Sequence, residues 1–150
     1  TVVTKLFNIV QPQRAYFGQK DAQQCAVVRR FVADLDIPVE IVVCDIARED
    51  DGLARSSRNV RLTPENREKA PALYQALQEA TRLFRSGERN TDVLEGALRV
   101  SLIKAGLPDI DYATVVNADT FRREDPCSEN ALALLAVQAG VVRLIDNMPL

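Results

Sequence analysis

Apolar positions along the chain follow two styles, with the change near residues 47–52. In the first style, Val2, Val3, Leu6, Phe7, Ile9 and Val10 fit one face of a short helix that no capping residue precedes and Pro12 ends. Residues 15–17 read as a short strand broken by Gly18. Asp21 then stands at an N-cap position with Gln24 three residues on, a capping-box-like spacing. Cys25, Val28, Phe31, Val32 and Leu35 recur at the helical period. Asp36 and Pro38 turn the chain into the β-branched run 39–43, which has strand length. Strand, helix and strand in so short a stretch make a βαβ unit, with parallel strands and a right-handed crossover. Ligands of open α/β sheets sit beyond the carboxyl ends of the strands. Segments 18–21 and 45–59 are therefore expected to face one site.

In the second style, Thr63 and Pro64 start a helix as N-cap and first helical residue. Leu73, Leu77, Ala80 and Phe84 mark the buried face of a helix that Gly87 ends, and Pro71 inside this pattern predicts a kink or a late start. Thr91 is suited to cap a further helix carrying Leu94, Leu98 and Leu102, closed by Gly106 and Pro108. Residues 112–117, 131–138 and 142–146 read as strands, the last two joined around Gly140 as a hairpin, with 122–130 a polar connection. Helices followed by a small antiparallel sheet give an α+β domain. The expected organisation is thus an α/β chain: a βαβ part over 1–47, then an α+β domain over 48–150.

Composition narrows the function. At 150 residues, 47% hydrophobic and 27% charged, the chain is a folded domain or two small ones. A net charge of -2 and a pI near 5.2 argue against a nucleic-acid partner, which needs a basic face, while leaving room for a small cationic pocket. No apolar run approaches the roughly 18 residues of a membrane span, and no signal-peptide pattern occurs, so no membrane partner and a cytoplasmic location are expected. Cys25, Cys44 and Cys127 form no C-x-x-C pair and read as reduced thiols. The chain has no histidine, so no His base, nucleophile partner or metal ligand comes from it.

Two clusters remain as candidate chemistry. Lys20 and Asp21 follow a glycine at a strand end and open a helix, where backbone N–H groups favour anions and an ammonium adds a point charge. The bland alternative is a solvated lysine and an ordinary Asp cap, since many helices start this way. Ser56, Ser57, Arg58 and Asn59 offer hydroxyls, a guanidinium fork and an amide suited to polyphosphate oxygens, or else form a polar loop. Glu49, Asp50 and Asp51 read as a charged turn and Asp109 and Asp111 as residues flanking a strand, so no metal site is assigned. Tyr16 and Phe17 read as core rather than a stacking platform. Neither the P-loop nor the G-x-G-x-x-G pattern is present.

The run Leu6-Phe7-Asn8-Ile9-Val10-Gln11-Pro12, then Arg14 through Gln24, closely resembles the pantothenate synthetases (pantoate–β-alanine ligases). So does Arg48-Glu49 with Asp51-Gly52-Leu53-Ala54 running into Ser56-Ser57-Arg58-Asn59, with weaker echoes at Asp111-Tyr112 and over Arg143 to Asn147. The resemblance implies the C-terminal part of a Rossmann-like parallel sheet followed by a small α+β lid. It also implies an ATP-dependent reaction. The pantoate carboxylate attacks the α-phosphorus of ATP, pyrophosphate leaves, and the β-alanine amine converts the pantoyl adenylate to pantothenate and AMP. By the same resemblance Lys20, Ser56, Ser57 and Arg58 bind and neutralise the ATP phosphates and are the catalytic set. Gly18 and Asp21 meet the ribose, Ala47 contacts adenine through its backbone, and Gln24 hydrogen-bonds pantoate.

Family members also carry an N-terminal half with a His-x-Gly-His signature, a second pantoate-binding Gln and the magnesium ligands. The chain is accordingly expected to be a C-terminal portion, inactive alone, with that half as its partner and Mg2+ held largely there. Self-association through the edge of strand 15–17, giving a homo-oligomer, or a disordered first segment is expected. A non-catalytic interaction or regulatory module derived from the ligase, or the ligase part of a fusion with cytidylate kinase, are the alternatives. Arg55 stands where the family usually has an apolar residue, and an extra cation there either aids phosphate binding or disturbs the loop.

Overall fold

The computed structural model describes residues 1–150, which divide into two compact units, Thr1–Ile46 and Ala47–Leu150. The first unit runs α1 (Val2–Val10), β1 (Arg14–Gly18), a 3-10 turn (Gln19–Asp21), α2 (Ala22–Asp34) and β2 (Glu40–Cys44). β1 and β2 pair in parallel from Arg14↔Glu40 to Gly18↔Cys44, as a βαβ crossover requires. Phe7, Val28 and Val39 form the buried centre, with Val3, Ala15, Phe17, Phe31 and Ile41 packed around them. The apolar residues of α1 divide between two stripes. Val3 and Phe7, one turn apart, face this core, while Val2, Leu6, Ile9 and Val10 are exposed. β1 alternates likewise, so Ala15 and Phe17 turn inward and Tyr16 is exposed rather than core. Leu35 is also exposed, because it lies at the C-cap, past the last turn of α2.

The second unit runs through a 3-10 turn (Asn59–Arg61), α3 (Pro64–Lys69), α4 (Ala72–Arg85), α5 (Thr91–Lys104), β3 (Ile110–Asn117), β4 (Ala131–Ala139) and β5 (Val142–Pro149). Thr63 caps α3, its Oγ1 accepting from Asn66 N at 3.3 Å. Pro71 does more than kink one helix: it stands as N-cap of a separate α4, since its ring and missing N–H forbid continuation from α3. The cap of α5 is Asn90, not Thr91, because Asn90 Oδ1 accepts from Val93 N at 3.1 Å. The Thr91 hydroxyl is committed elsewhere, donating to the Glu124 carbonyl.

β4 is the central strand of an antiparallel sheet ordered β3-β4-β5. One face of it, carrying Ala133, Leu135, Val137 and Ala139, joins Leu73, Leu77, Leu94, Leu98 and Leu102 of α4 and α5 in one core. A tight turn at Gly140 (φ +65°) and Val141 joins β4 to β5 from the Ala139↔Val142 pair. Glu95 of α5 covers the outer edge of β3. It accepts from Thr114 Oγ1 at 2.7 Å, Val115 N at 3.0 Å and Arg123 Nε at 3.2 Å. Burial opposes the Glu95 charge, but those donors outweigh it and hold the carboxyl below its ordinary range.

Candidate functional site

In the first unit the candidate residues sit on one continuous turn. Gly18 ends β1 in an extended conformation (φ −78°, ψ 132°), and a Cβ added there would meet nothing within 4 Å. Lys20 is half-buried in the 3-10 turn, and Asp21 and Gln24 are exposed on the first turn of α2. The capping box does not form. Asp21 is the N-cap residue by position but makes no side-chain cap bond, because the 3-10 turn delivers it at φ −97°, ψ 57°, away from the extended cap conformation. The turn is held from below by Cys25, whose buried thiol donates to the Gly18 carbonyl at 3.4 Å. Burial pushes that thiol up from its ordinary pKa, keeping it protonated.

In the second unit Ala47, Ser56, Ser57 and Arg58 lie on a hairpin-and-turn segment. Arg48 and Ala54 form an antiparallel bridge, Glu49 N donates to Leu53 O at 2.8 Å, and Arg55 N donates to Ala47 O at 2.8 Å. The hairpin tip closes through Gly52 N to Glu49 O at 2.9 Å, with Gly52 at φ +91°. The serine turn follows. Ser56 Oγ accepts from Arg58 N at 3.2 Å, Ser56 O accepts from Asn59 N at 3.0 Å, and Asn59 Nδ2 donates to Ala54 O at 3.1 Å. That last bond ties the turn to the hairpin. Asn59 Oδ1 is buried without a partner.

The segment is rich in cations, and most are already paired. Arg48 makes a fork to the buried Asp146 carboxylate. Arg55, exposed, lies 3.5 Å from the half-buried Glu49. Arg67 of α3 bonds Asp51 and holds that carboxyl below its ordinary range. Arg58 is exposed, and its guanidinium makes no hydrogen bond or ion pair. Of the arginines between 47 and 59, it alone presents a full fork to an incoming anion.

The acidic residues do not gather. No group of three or more Cys, Asp or Glu is placed to hold a metal ion. Asp111 lies inside β3, where it bonds Arg143 rather than flanking the strand. Two residues of the segment's support were not assigned from sequence, Asp146 and Tyr74. The signal for the first was present: Asp146 lies in the Arg143-to-Asn147 echo, and its partner Arg48 opens the other. No helix is long and apolar enough to cross a membrane.

Comparison with known proteins gives one answer. A profile of the family described as pantoate-beta-alanine ligase matches residues 1–149. A pantothenate synthetase of Gluconobacter oxydans (strain 621H) is 86% identical over 150 residues, covering 100% of this chain and 54% of that protein. One from Roseiflexus castenholzii is 53% identical over 147 residues, 98% of this chain and 53% of that protein. The crystal structure of pantothenate synthetase from Thermus thermophilus superposes with a TM-score of 0.94 at 44% identity, over 99% of this chain and 54% of that one. The pantoate-beta-alanine ligase from Francisella tularensis, complexed with beta-gamma ATP and beta-alanine, superposes at 0.68 with 30% identity, over 99% of this chain and 48% of that one. The chain spans about half the length of the curated relatives it matches.

Proposed function

The chain belongs to the pantoate-beta-alanine ligase family, and from that premise we propose that it is the C-terminal portion of an ATP-dependent ligase that joins pantoate to β-alanine. A pantoate carboxylate oxygen attacks the α-phosphorus of ATP, the bond to the bridging oxygen breaks, and pyrophosphate leaves with its electron pair. The β-alanine amine then attacks the acyl carbon of pantoyl adenylate, loses a proton and expels AMP. Both steps build charge on phosphate oxygens, and fixed cations and donors stabilise that charge.

The observation that carries the reading is the free Arg58 fork on a turn held by bonds from Arg58 N to Ser56 Oγ, Asn59 N to Ser56 O and Asn59 Nδ2 to Ala54 O. In the proposal Arg58, with the Ser56 and Ser57 hydroxyls, takes the departing pyrophosphate oxygens. Ser56 Oγ accepts the Arg58 N–H, which leaves its own proton to donate. Lys20 adds a second cation from the helix start. Gly18 and Asp21 receive the ribose, and the open space over Gly18 suits close approach of a ligand. Ala47 meets adenine through its backbone, and Gln24 bonds pantoate. The region 1–47 acts as the end of a Rossmann-like layer and 48–150 as a lid. Magnesium enters with ATP in this reading. Its protein ligands are assigned to the rest of the ligase, in the cytoplasm.

The test is a reconstitution. AMP formation that depends on both pantoate and β-alanine is expected from this chain only when it is combined with the N-terminal half of the Gluconobacter oxydans relative. Full activity from the chain alone, or none from the combination of two folded halves, overturns the assignment. A magnesium–ATP titration followed by amide shifts, with Lys20→Ala as control, then reports whether residues 18–24 and 55–59 respond together.

A further inference from the structure

A carboxylate occupies a core position of β5. Strand alternation sets Val142, Leu144, Asp146 and Met148 on one face, and the three apolar members pack with the core of the second unit. Asp146 lies across from Leu135 of β4, with 1% of its side chain exposed. Burial strips a carboxylate of water, so a charge there must be paired. Its partner arrives from 98 residues away: Arg48 Nη1 and Nη2 donate to Asp146 Oδ2 and Oδ1 at 2.7 and 3.0 Å. The same Nη1 donates to the Gly52 carbonyl at 2.9 Å, and the guanidinium carbon lies 4.2 Å from the centroid of the Tyr74 ring. Tyr74 also closes over Gly52, where an added Cβ would come within 2.3 Å of the ring.

Stability alone does not call for this arrangement, since apolar residues of similar volume often serve a core as well as a buried ion pair does. What the pair supplies is geometry. Asp146 is fixed by the sheet, and Arg48 carries that position into the hairpin through its bridge to Ala54 and its bond to Gly52. Asn59 Nδ2 carries it on from the Ala54 carbonyl to the serine turn. A continuous bonded path thus runs from β5 to the backbone of Arg58.

We propose that the Arg48–Asp146 pair, stacked on Tyr74, is the positioning device of the phosphate-binding turn, holding Ser56, Ser57 and Arg58 in one orientation before ATP arrives. The inference rests on the assignment of that turn to ATP phosphates. Arg48 and Asp146 touch no substrate in this scheme and act through the turn.

Amide hydrogen exchange on the 150-residue chain tests it. In Asp146→Asn and Arg48→Lys, the amides of Arg55 and Asn59 are expected to exchange at least tenfold faster relative to those of Leu135 and Val137. Leu98→Ala, a core change away from the hairpin, is the control and should speed the β4 amides without singling out the turn. Unchanged exchange at Arg55 and Asn59 overturns the proposal. So does an equal rise everywhere, which marks the pair as a general stability element. Arg48→Lys keeps the cation and removes only the fork, so if Asp146→Asn does not fold it is read in the same way. Failure of both to fold also overturns it.

In the reconstituted ligase both variants should lower kcat/KM for ATP at least tenfold while KM for β-alanine moves less than twofold. Equal losses for the two substrates count against positioning. Arg58→Ala separates the two layers of the claim: if it leaves ATP use intact while the turn loosens in Asp146→Asn, the phosphate assignment falls and the clamp stands.

Discussion

Gly18→Ala separates a glycine kept for the fold from one kept for a ligand. Gly18 has φ −78° and ψ 132°, which alanine adopts without strain, and a Cβ would meet nothing within 4 Å. The folded state therefore loses nothing, while the unfolded chain loses freedom. The expected change is a gain of about 0.4–1 kcal/mol in stability. For a chain of this size that raises Tm by about 1–4 °C. ATP use should move the other way. If the ribose lies against Gly18, the methyl group takes space the nucleotide needs, and a tenfold rise in KM for ATP corresponds to about 1.4 kcal/mol. Thermal unfolding of the chain gives the first quantity, and initial rates of the reconstituted ligase at varied ATP give the second. A fall in Tm of several degrees refutes the packing argument. A KM for ATP within twofold of the parent refutes the placement of a ligand at Gly18.

The other expectations follow from the same geometry. Arg58→Ala should lower kcat/KM for ATP by about 10²–10³-fold, the cost of losing one donor to a developing oxyanion, whereas Arg55→Met should change it by less than about fivefold, because the exposed contact of Arg55 with Glu49 is worth at most about 1 kcal/mol. Glu95 has a folded pKa below its unfolded value, so its stabilisation is complete above the unfolded pKa and is lost as pH falls through the folded one. Acid titration of Tm should therefore show a component below about pH 4 that Glu95→Ala removes, and Glu95→Ala should cost about 1–3 kcal/mol at neutral pH by orphaning the Val115 N–H. Of the three cysteines, Cys44 is exposed and Cys25 and Cys127 are buried. A thiol reagent should label one group quickly in the folded chain and three after denaturation, and fast labelling of Cys25 would contradict the packing beneath Gly18.

Where the chain's own periodicity carried the information, the elements were legible. The βαβ unit followed from the short run 15–17 broken by Gly18, the helical stripe from Cys25 and the β-branched run 39–43, and the parallel Gly18↔Cys44 pairing agrees with it. The hairpin at Gly140 was visible because a positive φ at a two-residue turn selects glycine. Local rules failed where two residues competed for one role. Asn90 and Thr91 are both good caps, and the choice was made by a loop carbonyl at Glu124, far along the chain, which takes the threonine hydroxyl. Val2, Leu6 and Ile9 fit a helix face as well as Val3 and Phe7 do, and only packing decides which stripe meets the core.

The weaker echoes at the end of the chain show the same limit more sharply. Read along the sequence, Asp111-Tyr112 and Arg143 to Asn147 are isolated polar residues in strands. In three dimensions Arg143 bonds Asp111 and lies over Tyr112, with its guanidinium carbon 5.7 Å from the ring centroid. Asp146 meets Arg48 across 98 residues. Such pairs carry no periodicity, because each depends on a strand register and a loop path that no local window contains. What a local window does contain is the anomaly that demands them: Asp146 interrupts the alternation of Val142, Leu144 and Met148 on a face that is otherwise apolar. A buried carboxylate at that place implies a cation to meet it. The segment that supplies the fork, Arg48, is also the one that leads into Ser56, Ser57 and Arg58. A buried polar residue on an apolar strand face is therefore a pointer outward, from the core to the loop it holds.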